Sequence, residues 1–256
     1  MKKILALLLT LALVFSLAAC GSKEDNSLTV TEGKLTMATN AEFPPYEYYE
    51  GDKVIGIDAE VAALIAEKLG LELEIVDVAF DSIIPGVQQG KYDMGMAGMT
   101  VTDERKEKVN FSDSYAKGVQ VVIVRADSDI KTLDDVNGKK VGVQQGTTGD
   151  IYASDTVENG GYGEENVTKY ENGALAVEGL KNGKVDCVII DNEPAKAYVA
   201  ANEGLIILDT EYANEDYAIC FSKDNSELQK LVNDALKELI ADGSLQKVVD
   251  KYIKAD

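Results

Sequence analysis

The chain has 256 residues, of which 45% are hydrophobic and 27% charged, a composition typical of a globular protein with a sizeable core. Its 45 acidic and 25 basic residues give a formal net charge of −20, which repels phosphate backbones and argues against nucleic acid as a partner. The absence of histidine excludes Ser-His-Asp and Cys-His nucleophiles and removes the commonest transition-metal ligand, so we expect neither a metal nor a cofactor.

The N-terminus predicts export. Two lysines precede an apolar block over residues 4–17, and the letters LAAC follow at 17–20, which is the order of a secretory signal. The block is too short for a membrane span, which needs about 20 apolar residues. The four letters resemble a bacterial lipobox, which implies a signal over 1–20 and a lipid on Cys20 that anchors the protein outside the cell membrane. The alternative is an ordinary signal peptide in which the cysteine stands by chance.

The predicted elements follow in chain order. Residues 21–33 are polar without apolar periodicity and predict a flexible tether. Strands are then predicted at 34–39, 73–78, from 92, and at 119–124, 140–143, 185–190, 205–208 and 217–221. Helices are predicted at 57–69, from 81, and at 103–109, 174–180, 226–240 and 245–253. Strands separated by helices of this length indicate an α/β protein with mostly parallel sheets.

Two polar stretches stand where the chain is predicted to cross between two lobes, near 116–119 and 213–217. The first lobe would then comprise residues 34–116 and 217–256, and the second lobe residues 117–216. A two-lobed protein with two crossing segments is suited to hinge closure over a cleft.

Two cysteines besides Cys20 lie within apolar runs, at Cys187 and Cys220, where a small buried thiol is usual. No Cys-x-x-Cys spacing indicates a metal or redox site, and a disulfide between these two cysteines stays open at this point.

Three stretches carry a resemblance to a known family: GIDAEV at 56–61, AGMTVTDER at 97–105 and VGVQQGTTG at 141–149. They resemble the extracellular solute-binding proteins that serve polar amino acid importers of the ABC type. The similarity extends from about residue 35 to residue 252 and departs at Ala59, where the family carries a larger aliphatic residue. It implies a two-lobed periplasmic-binding-protein-like fold of type II, with a mostly parallel sheet flanked by helices in each lobe and two crossing hinge strands.

The resemblance also implies how the two charged ends of an amino acid are held. Arg105 would grip the carboxylate with its planar guanidinium. Thr147 and Thr148 would offer backbone N–H groups at a helix start to the same carboxylate, next to Gly146. The carboxylate of Asp191 would hold the ammonium.

Gly98 and Thr100 would complete this ammonium cluster, the first with its carbonyl and the second with its hydroxyl. Each charged residue also has an alternative role. Arg105 is equally suited to a solvated helix face, and Asp191 to capping the segment that follows it. For Thr102 we favour a helix N-cap.

Four further residues would surround the ligand side chain. Phe43 and Phe80 match aromatic cleft residues of the family, which would sandwich the side chain and add a cation–π attraction to a basic one; core packing is the alternative for both. Asn40 stands where histidine- and glutamine-type members carry aspartate, and Gln144 where some members carry lysine. These residues favour a basic or neutral polar ligand over an acidic one.

We therefore expect a monomeric, lipid-anchored receptor that binds a polar amino acid and delivers it to an ABC permease. An amino acid-forming dehydratase on the same fold is the alternative. It needs a general acid or base in the cleft, for which Glu42 and Glu193 are nearby in sequence but lie in no recognisable motif. A ligand-sensing ectodomain would require a membrane helix and an output domain, which we do not expect.

Overall fold

The computed structural model of the protein describes residues 28–254. The predicted signal 1–20, its Cys20 and residues 21–27 of the predicted tether lie outside the described residues. Residues 28–33 were also predicted to belong to the flexible tether. For these residues the prediction is wrong, because they contact the folded body. Asn225 Nδ2 donates to Leu28 O at 2.9 Å, and the Val30 N–H donates to Asp93 Oδ1 at 2.7 Å. Leu28 also packs against the apolar core, which the polarity of its neighbours concealed.

The described part of the chain alternates strands with helices. The strands are β1 (Lys34–Thr39), β2 (Glu42–Phe43), β3 (Glu47–Glu50), β4 (Lys53–Ile55), β5 (Glu72–Asp77), β6 (Met94–Gly95), β7 (Asn110–Phe111), β8 (Ala116–Arg125), β9 (Val141–Gln144), β10 (Val167–Tyr170), β11 (Cys187–Asp191), β12 (Leu205–Ile207), β13 (Ala213–Tyr217) and β14 (Cys220–Phe221). The helices are α1 (Ile57–Leu69), α2 (Phe80–Gln88), α3 (Asp103–Lys108), α4 (Thr148–Ser154), α5 (Gly173–Lys181), α6 (Asn192–Ala201), α7 (Ser226–Ala241) and α8 (Ser244–Tyr252). Within residues 28–254, no helix is long and apolar enough to cross a membrane.

Helix α1 illustrates how the sequence pattern produces an element. Ile57, Val61 and Ile65 recur at helical spacing and are fully buried, so this face packs into the core. The helix ends at Gly70, whose φ of 69° is left-handed and favours glycine over other residues. The observed helix has the predicted bounds because both signals are local.

Two sheets form the two lobes. The first sheet has the strand order β5-β1-β6-β14-β7, and we call the body built on it the first lobe. The second sheet has the order β10-β9-β11-β8-β12, with β13 paired to β8, and supports the second lobe. A hairpin sheet β2-β3-β4 lies beside the first lobe. The predicted two-lobed α/β fold is confirmed.

The sheets are mixed, whereas the sequence predicted mostly parallel ones. In the first sheet β1 is parallel to β5 and β6, but β14 is antiparallel to β6 and β7. In the second, β9 is parallel to β10 and β11, but β8 is antiparallel to β11, β12 and β13. The antiparallel pairing of β8 with β13 follows from the way the chain crosses between the lobes. One strand leaves the first lobe and the other returns to it, so the two run in opposite directions.

The crossing strands are β8 and β13, which pair with each other from Ala116↔Tyr217 to Gln120↔Ala213. They form a two-stranded connection between the lobes. Gln120 and Glu215 lie on these strands and are buried, although both are polar. The connection therefore carries hydrogen-bonding side chains into the interior of the molecule.

The cysteines belong to different parts of the core. Cys187 packs within the second lobe and Cys220 within the first, in separate apolar clusters. Both are free, buried thiols, which settles the question of a disulfide between them. Burial raises the pKa of each thiol to about 12, so neither is ionised at neutral pH.

Candidate functional site

A narrow cavity lies between the two lobes. The structure places all ten of the predicted ligand-contacting residues on its wall, together with two that were not predicted. The first lobe and its hairpin contribute Asn40, Phe43, Glu47, Phe80, Ala97, Gly98, Thr100 and Arg105, and the second lobe contributes Gln144, Thr147, Thr148 and Asp191.

Arg105 is buried between the lobes, so the alternative of a solvated charge does not hold. It lies in the short helix α3, whose N-cap Thr102 accepts from the Arg105 N–H at 3.1 Å, as predicted for Thr102. The guanidinium donates to Thr100 O at 2.7 Å and, across the cleft, to Gly146 O at 3.0 Å. Its Cζ lies 5.4 Å from the centre of the Phe80 ring. A guanidinium has five donors, so three remain for a ligand.

The pKa of Arg105 reflects two opposing effects. Burial lowers it from its usual value, and the negative charges of Glu215 and Asp191 oppose that shift. A buried cation of this kind is stable only with compensating partners, and the cavity supplies both backbone carbonyls and acids.

The second lobe presents the start of helix α4 to the cavity. Thr147 is its N-cap: its Oγ1 accepts from the Asp150 N–H at 3.2 Å and donates to Gln144 O at 2.8 Å. The Thr147 N–H also donates to Gln144 O, at 3.4 Å. The N–H groups of the first turn, beginning with Thr148, have no intrahelical acceptors and are the ones positioned to receive an anion.

Gly146 connects the helix start to the first lobe. Its φ of 77° is left-handed, and a Cβ at this position would lie 2.9 Å from the Cβ of Asp81. Only glycine therefore fits between the strand β9 and the facing lobe without a shift.

Asp191 ends strand β11 and is buried at the cavity wall. It occupies the N-cap position of α6 but makes no capping hydrogen bond, so the capping alternative does not hold. Instead, its Oδ1 accepts a short hydrogen bond from the Tyr217 hydroxyl. Burial and the charge of Glu215 raise the pKa of Asp191 to about 7.

Gly98 and Thr100 follow strand β6 on the first lobe. Gly98 has a φ of 51°, and a Cβ there would lie 2.7 Å from Cε1 of Phe43, so its lack of a side chain admits the aromatic ring. The Gly98 N–H donates to Asp58 Oδ2 at 2.9 Å. The Thr100 hydroxyl donates to Glu215 Oε2 at 2.9 Å and lies 3.5 Å from the Thr148 hydroxyl of the facing lobe.

Asn40 and Gln144 also meet across the cleft. Gln144 Nε2 donates to Asn40 Oδ1 at 2.9 Å, while Asn40 Nδ2 donates to Val78 O at 3.0 Å. Phe43 is buried, and its ring centre lies 5.9 Å from that of Tyr46. The two amides thus bridge the lobes beside an aromatic wall.

Two further bridges close the cleft at its rim. Gln145 Nε2 donates to Asp81 Oδ2 at 2.7 Å, and the Tyr198 hydroxyl donates to Glu42 O at 2.6 Å. We call these two contacts the rim bridges. With them in place the structure has its lobes closed over the cavity.

Sequence reasoning missed a group of buried acids at the site. Glu47 is 1% exposed and lines the cavity, and its carboxyl lies beside that of Asp58. Burial and the neighbouring Asp58 raise its pKa well above the usual value. Asp58 is fully buried and accepts from the Tyr115 hydroxyl at 2.7 Å. The sequence could have indicated the burial of Asp58, because this acid lies on the apolar face of α1, where it requires a partner.

Glu215 and Gln120 on the crossing strands were also missed. Gln120 Nε2 donates to Glu215 Oε2 at 3.0 Å, the oxygen that also accepts from Thr100. One guanidinium and the carboxyl groups of Glu47 and Asp191 thus lie on the cavity wall, and the buried carboxyl groups of Asp58 and Glu215 contact wall residues Gly98 and Thr100 from outside it.

A closed interlobe cavity with a guanidinium and carboxyl groups on its walls, in two α/β lobes joined by two strands, defines a solute-binding protein of the periplasmic type. Comparison with known sequences specifies the family. Residues 35–255 match the bacterial extracellular solute-binding proteins, family 3, and the chain belongs to this family.

Individual relatives agree with this assignment. The arginine-binding extracellular protein ArtP of Bacillus subtilis (strain 168) is 36% identical over 259 residues, covering 100% of both chains. The solved structure of an ancestral arginine-binding protein bound to arginine matches with a TM-score of 0.80 and 40% identity, covering 87% of this chain and 100% of that chain.

The same comparisons favour a binding protein over the alternative of a dehydratase-like enzyme. The relatives are named as amino acid-binding proteins, two of them as ABC transporter binding proteins, and this chain is an extracytoplasmic amino acid-binding protein of the same family. The solved structure of the ancestral amino acid-binding protein AncCDT-1, a precursor of cyclohexadienyl dehydratase, also matches. Its TM-score is 0.77 at 32% identity, covering 87% of this chain and 96% of that chain.

The raised pKa of Asp191 generates a prediction about stability. The usual pKa of an aspartate is near 3.8, and that of Asp191 in the folded protein is about 7. Between these two pH values the folded protein binds more protons at Asp191 than the unfolded chain does, so the contribution of Asp191 to stability falls as pH rises. Asp191→Asn removes this effect and keeps an oxygen that accepts from Tyr217. Relative to the wild type, the free energy of unfolding of the variant should therefore be higher at pH 8 than at pH 5 by about 2 kcal/mol. Urea unfolding of the free protein at both pH values measures this difference. The exposed Asp209→Asn serves as control; an equal gain for Asp191→Asn at both pH values would contradict the assignment.

Proposed function

We propose that the protein is a lipid-anchored receptor that binds a polar, preferably basic, L-amino acid between its lobes and delivers it to a membrane ABC permease. The observation that carries the proposal is the presence of Arg105 and Asp191 on the walls of one closed cavity. An amino acid carries one negative and one positive group at a fixed separation, which requires one cationic and one anionic partner in the same site.

The carboxylate end of the ligand would bind Arg105. The guanidinium is held by Thr100 O and Gly146 O and keeps three donors, enough for a bidentate pair. The first-turn N–H groups of α4, from Thr148, add donors from the second lobe. A carboxylate at this point would therefore contact both lobes.

The ammonium end would bind Asp191, the Gly98 carbonyl and the Thr100 hydroxyl. A cation beside Asp191 stabilises the carboxylate and lowers its pKa, so the acid would be charged when the site is filled. Asp191 belongs to the second lobe and Gly98 and Thr100 to the first, so this end of the ligand bridges the lobes as well.

The side chain would extend along Phe43 and Phe80 towards Asn40 and Gln144. Glu47 supports a basic side chain, because the other charged groups of the wall are already matched by the two ends of the zwitterion. Its carboxyl is buried beside the carboxyl of Asp58, and a guanidinium or ammonium would supply donors and positive charge to this pair of acids. The arginine-binding names of the relatives point in the same direction.

Closure is proposed to occur about the crossing strands, with hinge segments near 116–119 and 213–217. The first lobe would comprise residues 34–116 and 217–256, and the second residues 117–216. A ligand that contacts both lobes binds the closed state more tightly than the open one and shifts the population towards closure. The lipid at Cys20 would keep the monomeric receptor close to the permease.

Removing the guanidinium tests the carboxylate grip. Arg105→Ala should weaken L-arginine binding at least about 100-fold, because a charge-assisted bidentate pair and its closure contact are lost together. Isothermal titration calorimetry measures the affinity, and circular dichroism checks the fold. Lys106→Ala, which removes the neighbouring exposed cation on the same helix, should leave the affinity unchanged. Unaltered binding by both variants would reject the proposed site.

Neutralising Glu47 tests the preference for a basic side chain. Glu47→Gln keeps the shape but removes the acid, so affinity for L-arginine and L-lysine should fall about tenfold or more while affinity for L-glutamine changes little. The exposed Glu42→Gln is the matched control. Equal losses for basic and neutral ligands would show that Glu47 has no part in this preference.

The lipid anchor is tested at Cys20. In a bacterial host that processes lipoproteins, the full-length protein should incorporate radiolabelled palmitate, and Cys20→Ser should not, because the thioether requires the sulfur. Cys187→Ala, which removes a buried thiol of the mature protein, should label normally. Equal labelling of the wild type and Cys20→Ser would refute acylation at this position.

A further inference from the structure

Glu215 is a buried acid that the proposed binding scheme does not use. It lies on the crossing strand β13, is 6% exposed and is not on the cavity wall. Its carboxyl nevertheless contacts a residue that is on the wall, since Oε2 accepts from the Thr100 hydroxyl at 2.9 Å. A buried acid in this position needs an explanation, because burying a charge is unfavourable unless it is compensated.

The contacts of Glu215 fix its orientation. Gln120 Nε2, from the paired strand β8, donates to the same Oε2 atom at 3.0 Å. The carboxyl is thus held between a side chain of one crossing strand and a side chain of the first lobe. Its charge also raises the pKa of Arg105 against the effect of burial.

The direction of the Thr100 hydrogen bond has a chemical consequence. A hydroxyl carries one proton and two lone pairs, whereas a carboxylate only accepts. When Thr100 donates its proton to Glu215, its oxygen has only lone pairs left for any other partner. An α-ammonium group only donates, so a hydroxyl oriented in this way is the matching acceptor.

We propose that Glu215 is a positioning residue that orients the Thr100 hydroxyl as an acceptor for the ligand ammonium. This inference rests on the proposed function, in which Thr100 belongs to the ammonium cluster. An amide at position 215 would not impose this orientation, because its NH₂ group can donate to Thr100 and turn the hydroxyl proton towards the ammonium. Glu215 therefore acts on the ligand through Thr100 without touching it.

A comparison of ligands with and without the α-ammonium tests the inference. The probes are L-arginine with its des-amino analogue 5-guanidinopentanoate, and L-glutamine with its des-amino analogue glutaramate. Glu215→Gln should weaken binding of the amino acids about 10- to 100-fold, the range for a hydrogen bond to a charged group. It should change the affinity for the des-amino analogues less than about twofold. Calorimetry with the purified protein measures all four affinities.

The matched control is Asp209→Asn, which removes an exposed acid of the second lobe outside the crossing strands and should leave all four affinities unchanged. Equal weakening of amino acids and des-amino analogues by Glu215→Gln would show a merely structural role and overturn the inference. No weakening of either would overturn it as well. If the wild-type protein binds neither amino acid, the proposed function fails, which is a distinct result.

Substitutions at Thr100 keep the test decisive should Glu215→Gln fail to fold. Thr100→Val should reproduce the selective loss of amino acid affinity. Thr100→Ser, which retains the hydroxyl, should keep the affinity of the wild type. In the double variant, Glu215→Gln should add little to Thr100→Val, because its effect passes through the missing hydroxyl. Additive losses in the double variant, or a loss with Thr100→Ser equal to that with Thr100→Val, would contradict the inference.

Discussion

The burial of one guanidinium organises the site. Arg105 is removed from water between two lobes, where an unpaired ion would be strongly destabilising. The structure compensates it with carbonyls from both lobes, the face of Phe80, and the nearby acids Glu215 and Asp191. Since the hydrogen bond to Gly146 O crosses the cleft, the same interaction links the chemistry of the site to the closed arrangement of the lobes.

The acids outnumber the base around this cavity, and that imbalance bears on both stability and selectivity. Repulsion between Asp191 and Glu215, together with burial, keeps the pKa of Asp191 near neutrality. Glu47 is likewise held towards its neutral form by burial and by Asp58. In the proposed function, a ligand with excess positive charge would relieve this repulsion.

Much of the fold was predictable because its signals are local. The helix 57–69 was predicted with its observed bounds from apolar spacing and a terminal glycine, and strand β1 was predicted from one apolar run. The third strand was predicted to begin at residue 92, whereas the observed strand is Met94–Gly95. Its flanking residues turn into the cavity loop instead. The mixed sheets were missed because strand direction depends on how the chain crosses between lobes.

The predicted site residues meet in one cavity because most of them lie at the end of a strand or near the start of a helix, positions that local patterns reveal. Glu47 and Glu215 escaped detection for a physical reason. In the sequence each resembles a solvent-facing acid, and its burial arises only when distant segments pack around it. Glu215 and Thr100, for example, are 115 positions apart and are joined by a single hydrogen bond.

The rim bridges have a consequence for the kinetics of exchange. Asp81 with Gln145 and Tyr198 with Glu42 connect the lobes independently of anything inside the cavity. A molecule enclosed behind them leaves only after both contacts break, so its residence time reflects the frequency of opening as well as its own affinity. Each of these exposed hydrogen bonds contributes only about 0.5–1.5 kcal/mol, so together they slow the opening of the lobes without preventing it.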